Sequence, residues 1–166
     1  MLGPAMTESR GRAEVVVASN RAAAGVYADE TGPLIVEALR ELGFAVAAPV
    51  VVPDGPPVGA AIAAAVEGGA RVVLTTGGTG LTPTDQTPEQ TRPLLEREVP
   101  GIADAIRAAG VAAGVPTAVL SRGLAGVSGA CLVVNLPGSR GGVKDGLAVL
   151  RPILVHAVEQ IVGSDH

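Results

Sequence analysis

Residues 74–80 have the sequence Leu74-Thr75-Thr76-Gly77-Gly78-Thr79-Gly80, and this stretch decides how the whole chain is interpreted. Its apolar start belongs to a predicted strand at 71–76, and its glycines predict a turn that leaves this strand. A second such turn follows a predicted strand at 131–135 and has the sequence Val134-Asn135-Leu136-Pro137-Gly138-Ser139-Arg140-Gly141-Gly142. Glycines allow backbone N–H groups to converge on one anion, and a helix N-terminus adds partial positive charge. Either turn alone is equally compatible with a simple tight turn, but the two together favour phosphate binding.

Strands and helices alternate outward from these two turns. Short apolar runs predict further strands at 15–18, 44–52 and 117–120. Helical spacing of apolar residues predicts helices at 33–42, 58–67, 101–109 and 142–162, a further helix capped by Thr87, and a kink at Pro152. Such alternation indicates crossover connections and a mainly parallel sheet, which is an α/β fold. The glycines in 121–129 do not fit a crossover and leave room for a short antiparallel excursion.

Length and composition indicate one domain of ordinary size. The chain has 166 residues, of which 48% are hydrophobic, so it can bury a substantial core. We predict a flexible leader at 1–13, followed by a single domain at 14–163. The one cysteine, Cys131, lies in an apolar run, which favours a buried and inert thiol over a nucleophile.

Charge and hydropathy argue against several classes of function. The net charge of −4 and the aromatic content of 1% disfavour nucleic-acid binding, because such proteins present a basic face and stacking rings. No stretch approaches the roughly 20 uninterrupted apolar residues of a membrane span, and the N-terminus lacks a signal-peptide pattern. We therefore expect a cytoplasmic protein with neither a nucleic-acid nor a membrane partner.

Charged residues lie near the two glycine turns. Asp85 follows Gly80 by five residues, and Asp54 follows the predicted strand at 44–52, so both are expected at carboxyl edges of the sheet. A pair of carboxylates beside phosphates suits Mg²⁺, although each is also compatible with an ordinary loop residue. Lys144 is the only lysine and occupies the first turn of the last predicted helix, where the helix dipole disfavours a cation. This position favours an anionic ligand about as much as it favours an ordinary surface lysine.

Several stretches of sequence, taken in order, resemble the signature of the MogA/MoaB family, which includes the G domain of gephyrin. The first block is Thr75-Thr76-Gly77-Gly78-Thr79-Gly80 followed by Asp85-Gln86-Thr87-Pro88-Glu89. The match continues through Pro100-Gly101, Leu120-Ser121-Arg122 and Asn135-Leu136-Pro137-Gly138-Ser139, and it spans about Val15 to Gly163. Within the family, Ser19-Asn20-Arg21-Ala22-Ala23-Ala24-Gly25 is most similar to actinobacterial Mog proteins.

The resemblance implies a three-layer α/β/α sandwich with a mainly parallel sheet, assembled as a homotrimer or, in some relatives, a hexamer. It implies a molybdopterin adenylyltransferase, which uses Mg²⁺ to transfer AMP from ATP to the terminal phosphate of molybdopterin and releases pyrophosphate. A molybdate-insertion protein would be a further partner. The attacking phosphate oxygen is already largely ionised at neutral pH, so catalysis would depend on positioning and charge neutralisation.

The same resemblance assigns roles to individual residues. Asp54 and Asp85 would be catalytic and would hold Mg²⁺. The residues expected to bind nucleotide or molybdopterin are Thr76, Gly77, Gly78, Thr79, Gly80, Ser121, Asn135, Pro137, Gly138, Ser139 and Lys144. Together they form one molybdopterin- and nucleotide-binding domain at 14–163.

Some positions depart from the adenylyltransferase pattern and leave an alternative open. Thr84 stands where several adenylyltransferases have Arg, and Asp85-Gln86 resembles the MoaB branch. Arg140 replaces a frequent Pro, whereas Asn135-Leu136-Pro137-Gly138 resembles the MogA branch. The alternative is a non-catalytic, MoaB-type molybdopterin-binding or scaffold protein. The related domain of competence-damage-type nucleotide amidohydrolases is a third class, and it usually has a different glycine loop and an additional domain.

Overall fold

The computed structural model describes residues 9–163, which form one seven-stranded sheet with helices on both faces. The strands are β1 (Arg12–Ala18), β2 (Ala45–Val46), β3 (Val50–Val52), β4 (Val72–Thr76), β5 (Arg97–Glu98), β6 (Ala125–Ser128) and β7 (Cys131–Leu136). The helices are α1 (Asn20–Ala23), α2 (Thr31–Glu41), α3 (Pro56–Glu67), α4 (Thr87–Thr91), α5 (Pro100–Ala112), α6 (Arg140–Leu150) and α7 (Leu154–Ile161).

Three parallel strands form the centre of the sheet in the order β1-β4-β7. Val15 pairs with Leu74, and Leu74 pairs with Val134, so the strands run side by side along their length. At their carboxyl ends Thr76 pairs with Leu136, which makes β4 and β7 finish level with each other. The two glycine turns therefore leave the same edge of the sheet as neighbours. The predicted α/β fold with a mainly parallel sheet is confirmed.

The second edge of the sheet is antiparallel. β6 pairs antiparallel with β7, and β5 pairs antiparallel with β6. A tight turn at Gly129, with φ of +58°, joins β6 to β7. The short antiparallel excursion expected in 121–129 is thus present, because this connection is far too short for a crossover helix.

The predicted strand at 117–120 is wrong. Pro116–Leu120 forms a 3-10 helix that follows α5 and contacts it at Gly110. Local bonds satisfy the backbone, with Ala118 N–H donating to Val115 O at 3.0 Å and Ser121 N–H donating to Ala118 O at 3.1 Å. The apolar residues misled the prediction, since they face solvent and the main cavity described below instead of the sheet.

Prolines interrupt two elements that were predicted to be continuous. The predicted strand at 44–52 is split into β2 and β3, because Pro49 between them has no N–H to donate to a ladder. The predicted helix at 142–162 is split into α6 and α7, with Pro152 in the break. A proline inside a helix removes one hydrogen bond and clashes with the preceding turn, so the predicted kink is a complete interruption.

Two further details differ from the predictions. Gln86, not Thr87, occupies the N-cap of α4, and the Thr87 hydroxyl donates instead to Gly77 O at 2.9 Å. β1 begins at Arg12, before the predicted end of the leader at residue 13, and Arg10 N–H already donates to Gly43 O at 3.0 Å. The part of the predicted leader at 1–8 lies outside the described residues.

Side chains alternate between two apolar layers, one on each face of the sheet. On one face Val15, Leu74 and Val134 pack beneath α2, α5, α6 and α7. On the other face Val16, Val73 and Val133 pack against α3, whose buried residues are Val58, Ile62 and Ala65. Burying a Val or Leu side chain stabilises the fold by about 1.5–3 kcal/mol, so these layers dominate stability. The result is the expected α/β/α sandwich.

Cys131 lies within the smaller of these two layers. Its side chain is buried, and burial raises the pKa of the thiol to about 12, which keeps it protonated near neutral pH. Within residues 9–163, none of the helices has the length and apolar character needed to cross a bilayer.

Candidate active site

The two glycine turns contact each other directly. Thr76 Oγ1 donates a hydrogen bond to Pro137 O at 2.7 Å, and Gly77 N–H donates to Leu136 O at 3.3 Å. A Cβ atom placed on Gly138 would lie 3.2 Å from the Cα atom of Gly77. The predicted turns therefore form one continuous backbone surface at the edge of the sheet.

Gly77 and Gly78 allow this close approach because of their backbone conformation. Their φ angles are +92° and +70°, a region that side chains with a Cβ rarely adopt. A Cβ atom on Gly77 would collide with the carbonyl oxygen of Ala18, and one on Gly78 would collide with Thr87 Oγ1. Both positions thus require glycine for two independent reasons, conformation and space.

A cavity of about 410 Å³ opens between the two turns and α5, and we call it the main cavity because both turns line it. Eight residues that sequence analysis assigned to the site line it: Gly78, Thr79, Gly80, Asp85, Ser121, Pro137, Gly138 and Ser139. Its far wall was missed and consists of side chains from α5, the 3-10 helix and the N-cap of that helix, Val115: Ile106, Arg107, Val115, Thr117, Ala118 and Leu120. The apolar pattern of α5 indicates only a core helix, and the sequence predicts a strand at 117–120. Neither prediction indicates a cavity wall.

A smaller cavity of about 200 Å³, the side cavity, lies on the other side of the Gly77–Gly138 contact. Gly138 lines both cavities, while Thr76 and Gly77 line only the smaller one. The remaining wall was also missed and comes from the end of β1, the segment that follows it and the start of α2: Val17, Ala18, Ser19, Ala22, Tyr27, Asp29, Glu30 and Thr31. The two cavities thus provide one space for a ligand on each side of the Gly77–Gly138 contact.

The N-terminal turn of α6 forms part of the wall of the main cavity. Ser139 is the N-cap, and its Oγ accepts a hydrogen bond from Gly142 N–H at 3.0 Å. Gly141 and Gly142 both line the cavity, so the first turn of this 11-residue helix faces it without side chains in between. A helix N-terminus carries partial positive charge, which favours an anionic ligand at this wall.

Asp85 is fixed in a tight turn at the rim of the main cavity. Its Oδ2 accepts a hydrogen bond from Thr82 N–H at 3.0 Å, and its own N–H donates to Thr82 O at 3.0 Å. A Cβ atom on Gly80 would lie 2.8 Å from the same Oδ2. The carboxylate is therefore held against the glycine turn, and its other oxygen, Oδ1, has no hydrogen-bond partner among residues 9–163.

Asp54 approaches the same turn from the loop after β3. Its N–H donates to Asn20 Oδ1 at 2.9 Å, and a Cβ atom on Gly78 would lie 3.0 Å from its Oδ1. That Oδ1 is buried without a hydrogen-bond partner among the described residues. Burial raises the pKa of Asp54, and repulsion by the Asp85 carboxylate raises it further.

These two carboxylates fit the requirements of a Mg²⁺ site. Mg²⁺ in nucleotide sites is bound by one or two carboxylates, with phosphate oxygens and water completing the shell. The buried and unpartnered Asp54 Oδ1 is the kind of oxygen that a cation satisfies. Within residues 9–163 no group of three or more His, Cys, Asp or Glu side chains could hold a metal, so phosphate ligands would be needed.

Three residues that were predicted to belong to the site line neither cavity, namely Asp54, Asn135 and Lys144. Asn135 is buried, and both the nitrogen and the oxygen of its side-chain amide form hydrogen bonds. Nδ2 donates to Thr75 Oγ1 at 3.0 Å and to Thr91 Oγ1 at 3.1 Å, and Oδ1 accepts from Leu124 N–H at 3.0 Å. These bonds direct its side chain into the protein, and its predicted binding role stays a prediction. Lys144 is exposed on α6 and lines neither cavity.

The neighbour of Lys144 on α6 was overlooked. Asp145 is half-buried and lines the main cavity, on the same wall as Gly141 and Gly142. Its position follows from the start of α6 at Arg140, which turns residue 145 and not residue 144 toward the cavity. The predicted binding role of Lys144 stays a prediction.

A sequence profile described as "Probable molybdopterin binding domain" matches residues 14–156, which include both glycine turns and both carboxylates. The chain belongs to the MogA/MoaB family of molybdenum cofactor biosynthesis proteins. The similarity therefore covers the elements that build the main cavity.

Curated relatives of this MogA/MoaB family member include proteins of two lengths. It is 41% identical over 155 residues to a molybdenum cofactor biosynthesis bifunctional protein of Synechococcus elongatus, covering 93% of this chain and 48% of the relative. The chain thus spans about half the length of that relative. It is 36% identical over 149 residues to a molybdopterin adenylyltransferase of Pyrococcus furiosus, covering 87% of this chain and 88% of that protein.

Solved structures from both branches of the MogA/MoaB family are similar to this one. The molybdopterin biosynthesis Mog protein of Mycobacterium ulcerans is 54% identical, with a TM-score of 0.86 over 90% of this chain and 98% of that one. The molybdopterin biosynthesis enzyme MoaB of Thermus thermophilus is 42% identical, with a TM-score of 0.80 over 92% of this chain and 97% of that one. The fold is therefore common to both branches.

Proposed function

We propose that the protein is a molybdopterin adenylyltransferase, which transfers AMP from ATP to the terminal phosphate of molybdopterin and releases pyrophosphate. The observation that carries this proposal is the main cavity, where two glycine turns, the N-terminus of α6 and Asp85 meet. Donors from three backbone segments suit a ligand with several phosphates, and the carboxylate suits the cation that accompanies them. Residues 14–163 would act as one molybdopterin- and nucleotide-binding unit.

The walls of the main cavity match the two chemical parts of the reaction. Ile106, Val115, Ala118 and Leu120 form an apolar side that suits a planar pterin. Opposite them, Gly78, Thr79 and Gly80 and the first turn of α6 offer backbone donors to phosphate oxygens. The pterin phosphate and the α-phosphate of the nucleotide would meet between these two sides.

The residues of the site would act mainly by positioning. Backbone N–H groups of the 77–80 turn would orient the phosphates, and Ser121 and Ser139 would contribute hydroxyl groups. Asp54 and Asp85 would hold Mg²⁺, which neutralises the negative charge of the phosphates when bound. The attacking phosphate oxygen is already ionised, so no residue needs to remove a proton from it.

Direct measurement of AMP transfer tests this proposal. The protein is incubated with ATP, Mg²⁺ and molybdopterin, and adenylylated molybdopterin is quantified by chromatography. Asp85→Asn should lower kcat by roughly a hundredfold or more, since a charge-stabilising group is lost from the site. Glu41→Gln is the matched control, because Glu41 forms an exposed ion pair with Arg151 at 2.8 Å far from the cavity. Normal turnover by Asp85→Asn would show that the assigned role is wrong.

A second candidate function is a non-catalytic, MoaB-type molybdopterin-binding or scaffold protein. Thr84 and Gln86 favour it, and both are exposed in the loop that carries Asp85. Tight molybdopterin binding by the wild-type protein without AMP transfer or ATP hydrolysis would support this alternative over the enzyme.

The assembly is part of the same proposal. We expect a homotrimer, with a hexamer as the alternative, and a molybdate-insertion protein as the partner that receives the product. Light scattering on the purified protein measures the first expectation: a trimer has three times the mass of the 166-residue chain.

A further inference from the structure

The loop from Gly80 to Asp85 carries the carboxylate on which the proposed function depends, yet much of it faces solvent. Leu81, Thr82 and Thr84 are exposed. Thr82 and Asp85 are joined by two hydrogen bonds, and the hydroxyls of Thr82 and Thr84 lie 3.2 Å apart. These contacts shape the loop internally but do not attach it to the body of the protein.

Arg122 attaches both ends of this loop. Its Nε donates to Gly80 O at 2.8 Å, and its Nη2 donates to Asp85 O at 2.8 Å. Its own backbone N–H donates to Thr79 O at 2.8 Å, just before the loop begins. In the described part of the chain, the hydrogen bonds that reach 80–85 from elsewhere both come from this guanidinium.

Glu89 holds the guanidinium from the other side. Arg122 Nη1 donates to Glu89 Oε2 at 2.6 Å, and Nη2 donates to Oε1 at 3.3 Å. The hydrogen bond from Arg122 is the main reason that the pKa of Glu89 is lowered. Glu89 lies in α4, so one planar group joins α4, the loop and the Ser121–Arg122 segment beside the main cavity.

The geometry of this contact suits a positioning role better than a stabilising one. The side chains of Arg122 and Glu89 are 35% and 55% exposed, and exposed ion pairs contribute little to stability. The forked guanidinium, in contrast, can bind two carbonyls in fixed directions, which a single ammonium group cannot do. The rotamer of Asp85 depends on Thr82 N–H, and therefore on the backbone that Arg122 holds.

We propose that Arg122 is a positioning residue: by binding the carbonyl oxygens of Gly80 and Asp85 it fixes the Asp85 carboxylate at the main cavity, and Glu89 keeps Arg122 in place. This inference rests on the proposed function, because Asp85 is the group that needs to be positioned. A misplacement of such a group by about 1 Å lowers a rate on the order of a hundredfold.

The test compares Arg122→Gln, Arg122→Lys and Glu89→Gln with Arg151→Gln. Arg151 is the matched control, since it forms an ion pair of similar exposure at 2.8 Å with Glu41, away from the site. Hydrogen exchange of the segment 79–90 is measured first, without ligands. AMP transfer then gives kcat and the KM for molybdopterin, and the melting temperature reports overall stability.

Hydrogen exchange and AMP transfer each have an expected result for every variant. Arg122→Gln should speed exchange of the loop amides roughly tenfold and lower kcat by on the order of tenfold to a hundredfold, with KM within about threefold. Arg122→Lys should fall between this variant and the wild type, because an ammonium group lacks the rigid fork that fixes two carbonyls at once, and Glu89→Gln should have the smallest effect. Arg151→Gln should change neither exchange nor kcat.

Other results would contradict either the role of Arg122 or the proposed function. Unchanged exchange in Arg122→Gln overturns the inference, and faster exchange with an unchanged kcat overturns the positioning role. A lower melting temperature with normal kcat per folded molecule would indicate a merely structural residue. If the wild type transfers no AMP, the proposed function fails, and the exchange comparison alone decides whether Arg122 holds the loop.

Discussion

Asp54 has an unfavourable environment that a bound cation would relieve. Its Oδ1 is buried without a hydrogen-bond partner, and both burial and the nearby Asp85 carboxylate raise its pKa. Such a charge costs folding free energy unless it is paired. Active sites often retain residues of this kind, because function requires them although stability does not.

Asp54→Asn should therefore separate stability from activity. Removing the charge relieves the repulsion by Asp85, so the melting temperature in EDTA should rise, while kcat should fall by roughly a hundredfold. Thermal unfolding and AMP transfer are measured on the same preparation, with Glu41→Gln as the control. A variant that loses stability in EDTA, or keeps full activity, would contradict the assignment of Asp54 to the cation.

Gly78 is one of two positions in the first glycine turn where both conformation and space require glycine. Gly78→Ala should lower the free energy of unfolding by about 1–3 kcal/mol, because alanine at φ of +70° is strained and its Cβ would collide with Thr87 Oγ1. Gly114→Ala isolates the strain, since Gly114 has φ of +95° and open space around its Cβ position. Urea unfolding measures both; equal losses would mean that crowding at Gly78 contributes nothing.

Sequence reasoning at single positions was sufficient to place the glycine turn at the wall of the main cavity. Gly78, Thr79 and Gly80 line the main cavity as expected, because glycine turns after apolar strands leave little structural freedom. Asn135 could not be placed in the same way. It lies in the matching motif, yet its side chain points into the protein, and only the position of Thr91 from another segment reveals why.

At the scale of secondary structure elements, the parallel centre of the sheet was predictable, whereas the 3-10 helix in the wall of the main cavity was not. The apolar runs of β1, β4 and β7 are buried on both faces, which gives an unmistakable pattern. The 3-10 helix at Pro116–Leu120 has equally apolar residues but faces solvent and the main cavity, so hydropathy alone assigned it to the sheet. Its true conformation depends on contact with α5, which no local pattern records.

Asn135 joins elements that are distant in the chain, so its replacement should affect stability more than binding. Its amide connects β7 with Thr75 of β4, Thr91 of α4 and the backbone of Leu124. Asn135→Ala leaves these buried groups unpaired and should lower the free energy of unfolding by about 2–4 kcal/mol. Urea unfolding and molybdopterin titration are the measurements; weaker binding at unchanged stability would indicate a direct ligand contact instead.

At the scale of the whole molecule, the site depends on segments that meet only in the folded chain. The main cavity combines the turn after β4, the turn after β7, and the wall formed by α5 and the 3-10 helix. The first two were predictable, because parallel strands bring their carboxyl ends to one edge of the sheet. The third was not, since nothing in the sequence of α5 indicates which helix lies over that edge.

Because the unfolded chain has no such cavity, ligand binding should raise the stability of the whole protein. A ligand at a hundred times its Kd adds about 2.7 kcal/mol, which corresponds to a rise in melting temperature of roughly 5–10 °C for a domain of this size. For the proposed enzyme, ATP with Mg²⁺ should produce this shift, EDTA should cancel it, and Asp85→Asn should not show it. Glu41→Gln, the control, should behave as the wild type. A protein that molybdopterin stabilises but ATP with Mg²⁺ does not would be a MoaB-type binder, because a binder needs only the pterin half of the cavity.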